Sequence, residues 1–140
     1  MILLDTNVIS EMMRPLPDPQ VLAWFDQQDG LPLYLSTITE AELWSGFHRL
    51  AEGKRKLALQ VLISETLAED FKGRILPFNS SAAHAYGKIS AHRAQIGRPI
   101  NTADCQIAAI AEVNGFKVAT RNVKDFEECD VSLIDPWRAN

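Results

Sequence analysis

Apolar residues fall along this chain in two rhythms. Five short, nearly uninterrupted runs read as strands covered on both faces: Met1 to Leu4, Leu33-Tyr34-Leu35, Arg74-Ile75-Leu76-Pro77, Lys117-Val118-Ala119-Thr120 and Val131-Ser132-Leu133-Ile134. Between them, apolar positions recur every three or four residues, the spacing of a helix face. Val21, Leu22, Trp24 and Phe25 follow the Pro17-Asp18-Pro19 entry; Ile38, Ala41, Trp44, Phe47 and Ala51 form a second stripe. Leu57, Val61, Leu62, Leu67, Ala68 and Phe71 predict a long amphipathic stretch, and Ala82, Ala85, Tyr86, Ile89 and Ile96 another. An alanine-rich helix is expected from about Thr102 to Asn114, stopped at Asn114-Gly115. Gly53-Lys54-Arg55-Lys56 reads as a basic turn between two helices. Strands alternating with helices imply βαβ units. The expectation is one α/β domain over residues 1–140, with a central parallel sheet of about five strands and helices on both faces.

Composition narrows the class. At 140 residues, 46% hydrophobic and 23% charged, the chain has the profile of an ordinary globular domain. Its apolar runs fall far short of the roughly 20 residues that span a bilayer, so no membrane partner is expected. An acid at Asp5 interrupts the place where a secretory leader needs a basic and then an apolar region. Cys105 and Cys129 make no disulfide framework, and a cytoplasmic setting is expected. The net charge of -4 argues mildly against a non-specific nucleic-acid coat protein.

Chemistry lies in where the acids fall. Ligands of open parallel sheets bind outside the carboxyl ends of the strands. Asp5 ends the first strand and is followed by Thr6-Asn7; it reads equally as a helix N-cap or as a site residue. Glu40 and Glu42 share a helix, but two positions are about 200° apart, so only one can join a given site. Small polar neighbours (Thr39, Ser45, Gly46) favour Glu42, while Glu40 reads as a solvated dipole partner. Asp104 sits in the first turn of the alanine-rich helix, where an acid is also favourable without any function. The loop after the fourth strand brings Thr120, Arg121 and Asn122 to the same edge; Asn122 offers an uncharged oxygen, and Asp125 a carboxylate if the loop folds back. Several oxygen ligands on one edge suit a hard divalent cation. His48, His84 and His92 lack zinc spacing, and neither a Gly-rich phosphate loop nor a GxSxG motif is present.

The run Met1-Ile2-Leu3-Leu4-Asp5-Thr6-Asn7-Val8-Ile9-Ser10 resembles the start of PIN-domain proteins of the VapC toxin family, particularly its FitB-like branch. Three further stretches match in order: Ser36 to Leu43, Asn101 to Ala109 and Val118 to Phe126; the closing Asp135-Pro136-Trp137 is also similar. The resemblance covers essentially the whole chain. It implies a PIN-like fold and a Mg²⁺-dependent (or Mn²⁺-dependent) endoribonuclease, the toxin of a type II, VapBC-like toxin–antitoxin pair in the bacterial cytoplasm. Water activated by the cation would attack the RNA phosphodiester. The family's acids carry over onto Asp5, Glu42 and Asp104 as metal ligands. The fourth falls at Asn122, so either Asn122 or Asp125 is left to complete the set. Asn7, Thr39, Thr120 and Arg121 are expected to position substrate or water.

The resemblance also implies partners: a small DNA-binding antitoxin whose carboxy-terminal segment blocks the active site, operator DNA reached only through it, and a homodimer. Met12, Met13, Trp24, Trp44 and Phe47 read either as core or as a groove for another chain. Two basic groups, Arg49, Lys54, Arg55 and Lys56, and Lys88, Arg93 and Arg98, read either as solvated faces or as phosphate contacts. Two competing readings stand beside the nuclease. One is a binding module of the same fold with weakened catalysis, favoured by Asn122. The other is a phosphatase with Asp5 as nucleophile, disfavoured because Asn7 stands where a second acid is wanted. With Asp5, Glu42 and Asp104 set aside as cation ligands, the remaining charge is nearly balanced, and the bound ion rather than a basic surface would draw in phosphate.

Overall fold

The computed structural model describes residues 1–138. Its first strand, β1 (Ile2–Leu4), is buried on both sides. Leu3 joins one apolar cluster while Ile2 and Leu4 join the other, the two-residue alternation of a central strand. β2 (Leu33–Ser36), β3 (Ile75–Leu76), β4 (Lys117–Ala119) and β5 (Leu133–Ile134) complete a five-stranded sheet in the order β3-β2-β1-β4-β5. Every neighbouring pair is parallel. The chain thus steps outward from β1 to β2 and β3, then returns to β4 on the other side of β1. That reversal opens a crevice beyond the carboxyl ends of β1 and β4.

The helices are α1 (Thr6–Met12), α2 (Pro19–Gln27), α3 (Thr37–His48), α4 (Lys54–Glu65), α5 (Ser80–Gln95), α6 (Thr102–Asn114) and α7 (Val123–Phe126), with a π-helical turn at Thr66–Asp70. Trp24, Leu43, Phe47, Ile63 and Leu67 cover one face of the sheet with Val8 and Ile9. Ala82, Ala85 and Ile89 of α5, with Ile107 to Ala111 of α6, cover the other. The small side chains along α5 and α6 bring these helices close to each other and to the sheet, which seats the amino end of α6 at the crevice.

Polar caps start the helices that border the crevice. Ser36 accepts from the Thr39 N–H at 3.1 Å and Asn101 from the Asp104 N–H at 2.8 Å, while Asp5 caps α1. Gly115 ends α6 with φ +69°, a left-handed conformation glycine adopts without strain.

Three expectations change here. Lys54 to Lys56 form the first turn of α4 rather than a turn between helices. Three cations at a helix start oppose its dipole, and Lys56 is offset by Glu52 at 2.9 Å. The apolar stripe of this region is split: Ile63, Leu67 and Phe71 are buried, but Leu57 and Val61 are 64% and 56% exposed on the outer side of α4. Ile96 caps the end of α5 and is exposed.

Candidate active site

Asp5 leaves the end of β1 directly beside the end of β4, where its N–H donates to the Ala119 carbonyl at 2.9 Å. Its side chain is 5% exposed and both oxygens are engaged. Oδ1 accepts the Thr6 N–H at 2.8 Å, and Oδ2 accepts the Thr120 hydroxyl at 2.8 Å. Asp5 therefore caps α1 while also being tied to the end of β4. Burial raises its pKa from the ordinary 3.8 to about 6, opposed by those two hydrogen bonds and reinforced by the charges of Asp104 and Glu42.

Glu42 reaches the crevice from α3. Thr6 Oγ1 donates to Glu42 Oε1 at 2.7 Å and lies 2.9 Å from Thr39 Oγ1. A hydroxyl carries one proton, so Thr39 donates to Thr6 and Thr6 to Glu42. Sequence reasoning passed over Thr6 as a mere helix start; the available signal was a hydroxyl residue adjoining a strand-end acid.

Asp104, half-buried in the first turn of α6, is held by Asn101, whose side-chain amide donates to Asp104 Oδ2 at 2.7 Å. Burial raises its pKa; Asn101 opposes this, the charges of Asp125 and Glu42 add to it, and Arg93 counters them. Asp125, on the four-residue helix α7, is thus close enough to act on Asp104. Asn122 precedes that helix, and its side chain makes no capping bond. The acids brought to one edge are Asp5, Glu42 and Asp104, and neither these nor Asp125 takes part in an ion pair among the described residues.

A cluster of carboxylates with oxygen-only chemistry and no compensating ion pair fits a hard divalent cation. Among the described residues, no three acids, histidines or cysteines stand close enough to enclose a metal between them. His48, His84 and His92 are exposed, and Cys105 is buried with its thiol pKa pushed up to about 11 by burial, so neither chemistry competes.

Several expected roles shift. Thr39 and Thr120 are fully buried with their hydroxyls bound to protein atoms, so they orient Thr6 and Asp5 rather than touch phosphate. Thr120 Oγ1 also accepts the Asn122 N–H at 3.0 Å, tying the loop to the carboxylate. Asn7 accepts the Arg121 N–H at 3.3 Å, again holding that loop. Arg121 is exposed, with its guanidinium 5.1 Å from the Trp137 ring centre. Arg93, counted with the surface cations, is 4% exposed and bonded to carbonyls. Trp24 is core, whereas Met13 and Phe47 line a groove of about 540 Å³ between α1, α3 and α4 that ends at Thr6 and Glu42.

The family model for the PIN domain matches residues 2–131. VapC ribonuclease Y4jK of Sinorhizobium fredii is 43% identical over 98% of this chain and 98% of its own length. Toxin FitB of Neisseria gonorrhoeae is also 43% identical, over 98% of this chain and 99% of its own. The solved structure of FitAB bound to an IR36 DNA fragment matches with a TM-score of 0.94 at 41% identity, covering 100% of this chain and 98% of that one.

Proposed function

The chain belongs to the PIN-domain family, and from that premise we propose that it is a Mg²⁺- or Mn²⁺-dependent endoribonuclease, the toxin of a VapBC-like toxin–antitoxin pair. The observation that carries the reading is the convergence of Asp5, Glu42 and Asp104 on the β1–β4 crevice without an ion pair to offset them. What a bound cation supplies is positive charge beside the phosphoryl oxygens and a more acidic water for in-line attack on the phosphodiester.

The chain's own residues do the rest. Asp5 and Asp104 would hold the cation, each oriented by a neighbour: Thr120 for Asp5 and Asn101 for Asp104. Glu42 is steadied through Oε1 by Thr6, and its Oε2 has no bond to protein among the described residues, leaving that atom to orient a water. Asn122 and Arg121, exposed on the loop that Thr120 and Asn7 hold, would meet RNA phosphate. The phosphatase alternative fits poorly, because Asn7 stands where a second acid is wanted to protonate the leaving group. The binding-module alternative rests on Asn122, and the three acids Asp5, Glu42 and Asp104 weigh against it.

The antitoxin's carboxy-terminal segment is proposed to lie in the apolar groove that leads to Glu42. Operator contact through the antitoxin, supported by the 0.94 match to FitAB on DNA, and a homodimer complete the reading.

Incubation with single-stranded and structured RNA plus Mg²⁺ tests this. Cleavage is expected, and both EDTA and Asp5→Asn are expected to abolish it. Cleavage that survives both controls overturns the metal mechanism, and RNA binding without cleavage of any RNA overturns the enzyme.

A further inference from the structure

β4 and β5 lie on the other side of β1 from β2 and β3. They pair in parallel, Ala119 opposite Ile134, and the Thr120 N–H donates to the Ile134 carbonyl at 2.9 Å. The chain beyond each strand therefore leaves at the same edge, with Arg121 coming from β4 and a turn at Asp135 to Arg138 from β5. One side chain fixes that turn. Asp135 Oδ1 accepts the Trp137 N–H at 2.9 Å, and Oδ2 stands 3.3 Å from Arg138 Nε. Trp137 is half-buried, packed with Ile134 against the cluster that contains Leu4 and Val8.

Arg121 is exposed, and its guanidinium lies 5.1 Å from the centre of the Trp137 ring. Among the described residues its side chain makes no ion pair. Its main chain is anchored on both sides. Asn7 accepts the Arg121 N–H at 3.3 Å, and Thr120 Oγ1 accepts the Asn122 N–H at 3.0 Å while donating to Asp5 Oδ2 at 2.8 Å. A guanidinium with free donors is thus backed by an indole and tied to the loop that holds Asp5. Contact with the ring narrows its rotamer freedom before anything binds, which lowers the ordering cost of binding.

A groove of about 510 Å³ runs beside this pair, lined by Arg121, Lys124, Asp125, Glu127, Asp135 and Arg138. It shares no lining residue with the apolar groove. Two of its acids are already paired, Glu127 with Arg98 at 3.8 Å and Asp135 with Arg138 at 3.3 Å. Arg121 and Lys124 have no such partner among the described residues, and only the Asp125 carboxylate is left to oppose them. The uncommitted charge favours a polyanion. Cations along a groove with a π-face at one end are the combination that binds single-stranded nucleic acid, because a base can stack only when its face is free.

We propose that the Arg121–Trp137 pair is a stacking subsite for an unpaired base of the RNA, with Lys124 and Arg138 following the strand's backbone along the groove. The guanidinium face carries the base while its edge still donates to phosphate. This rests on the nuclease reading and narrows its substrate to RNA that is single-stranded at the acids.

The test compares two ligands in EDTA, which keeps the strand intact: a short oligouridylate and an abasic ribose-phosphate chain of equal length, both followed by fluorescence anisotropy. Wild type should prefer the oligouridylate by about tenfold. A blunt RNA duplex of the same length should bind no more tightly than the abasic chain. Trp137→Leu and Arg121→Lys should each shrink the preference to within twofold, and Trp137→Phe should keep it. No preference in the wild type overturns the proposal, as does a full preference in Trp137→Leu or Arg121→Lys. A pair that is merely structural would lower both affinities together, which also overturns it. So does a Trp137→Leu protein that loses antitoxin binding but keeps its preference for bases, since the stack then belongs to a protein partner. Should Trp137→Leu not fold, Arg121→Lys, at an exposed residue, carries the test. Mg²⁺-dependent cleavage by the wild type is scored separately: lost preference with cleavage intact sinks the subsite alone, and no cleavage of any RNA sinks the nuclease reading.

Discussion

Replacing Asp5 with asparagine should make the cation-free protein more stable while destroying its activity. The carboxyl is buried, and its pKa rises from 3.8 to about 6 on folding. Folding therefore favours the protonated form. The stabilisation is complete below pH 3.8 and is lost as pH climbs through 6. A shift of about two units corresponds to about 3 kcal/mol. In EDTA, wild-type stability should fall between pH 4 and pH 7.5 by about that amount from Asp5 alone, with Asp104 adding to the slope in the same direction. Asp5→Asn removes the Asp5 share. Thr6 can still donate to the amide oxygen, and the Thr120 hydroxyl can rotate to accept from the amide nitrogen, so the gain should be about 2–3 kcal/mol at pH 7.5. For a chain of this size that is roughly 10 °C in Tm. The assay is urea unfolding at pH 4, 6 and 7.5, followed through the fluorescence of buried Trp24. Saturating Mg²⁺ should restore wild-type stability and leave the variant unchanged. Parallel stability–pH curves for the two proteins in EDTA would refute the argument, because Asp5 would then not be desolvated.

Three further outcomes follow from the geometry. Thr6→Val removes the hydroxyl between Thr39 and Glu42 and should lower kcat by about tenfold, with stability changed by about 1 kcal/mol or less, read from single-turnover cleavage and thermal unfolding. Leu62→Glu places a charge in the groove at a residue already 37% exposed; it should weaken antitoxin binding in pull-down and calorimetry by at least tenfold while RNA cleavage stays within twofold. Gly46→Ala, on α3, introduces a Cβ that meets nothing within 4 Å and should stabilise the protein by about 0.5–1 kcal/mol in urea unfolding.

Much of the architecture was legible because local patterns carry it. All five apolar runs became strands, and the Asn114-Gly115 stop became the left-handed cap of α6. Asp5 was legible as a candidate because it ends β1, Glu42 because small polar residues flank it on α3, and Asp104 because it sits in the first turn of the alanine-rich α6. Where the outward face of α4 would fall was not legible: Leu57 and Ile63 are alike in hydropathy, and only the packing of neighbours decides which one the sheet covers. The same holds for Arg93, which along the chain is one cation among others and in space is a buried donor to three carbonyls.

Periodicity, caps and turn residues belong to neighbours in the chain, so the sequence by itself determined a parallel α/β domain and which acids end its strands. Pairings across long stretches of chain are decided by how the sheet assembles. Placing β4 beside β1 brings Thr120 within 2.8 Å of Asp5, 115 residues away. Packing α1 beside α3 brings Thr6 within 2.7 Å of Glu42. Only the tertiary structure buried Asp5, half-buried Asp104 and left Glu42 exposed beside them, because desolvation and repulsion depend on distance in space and not on position in the chain.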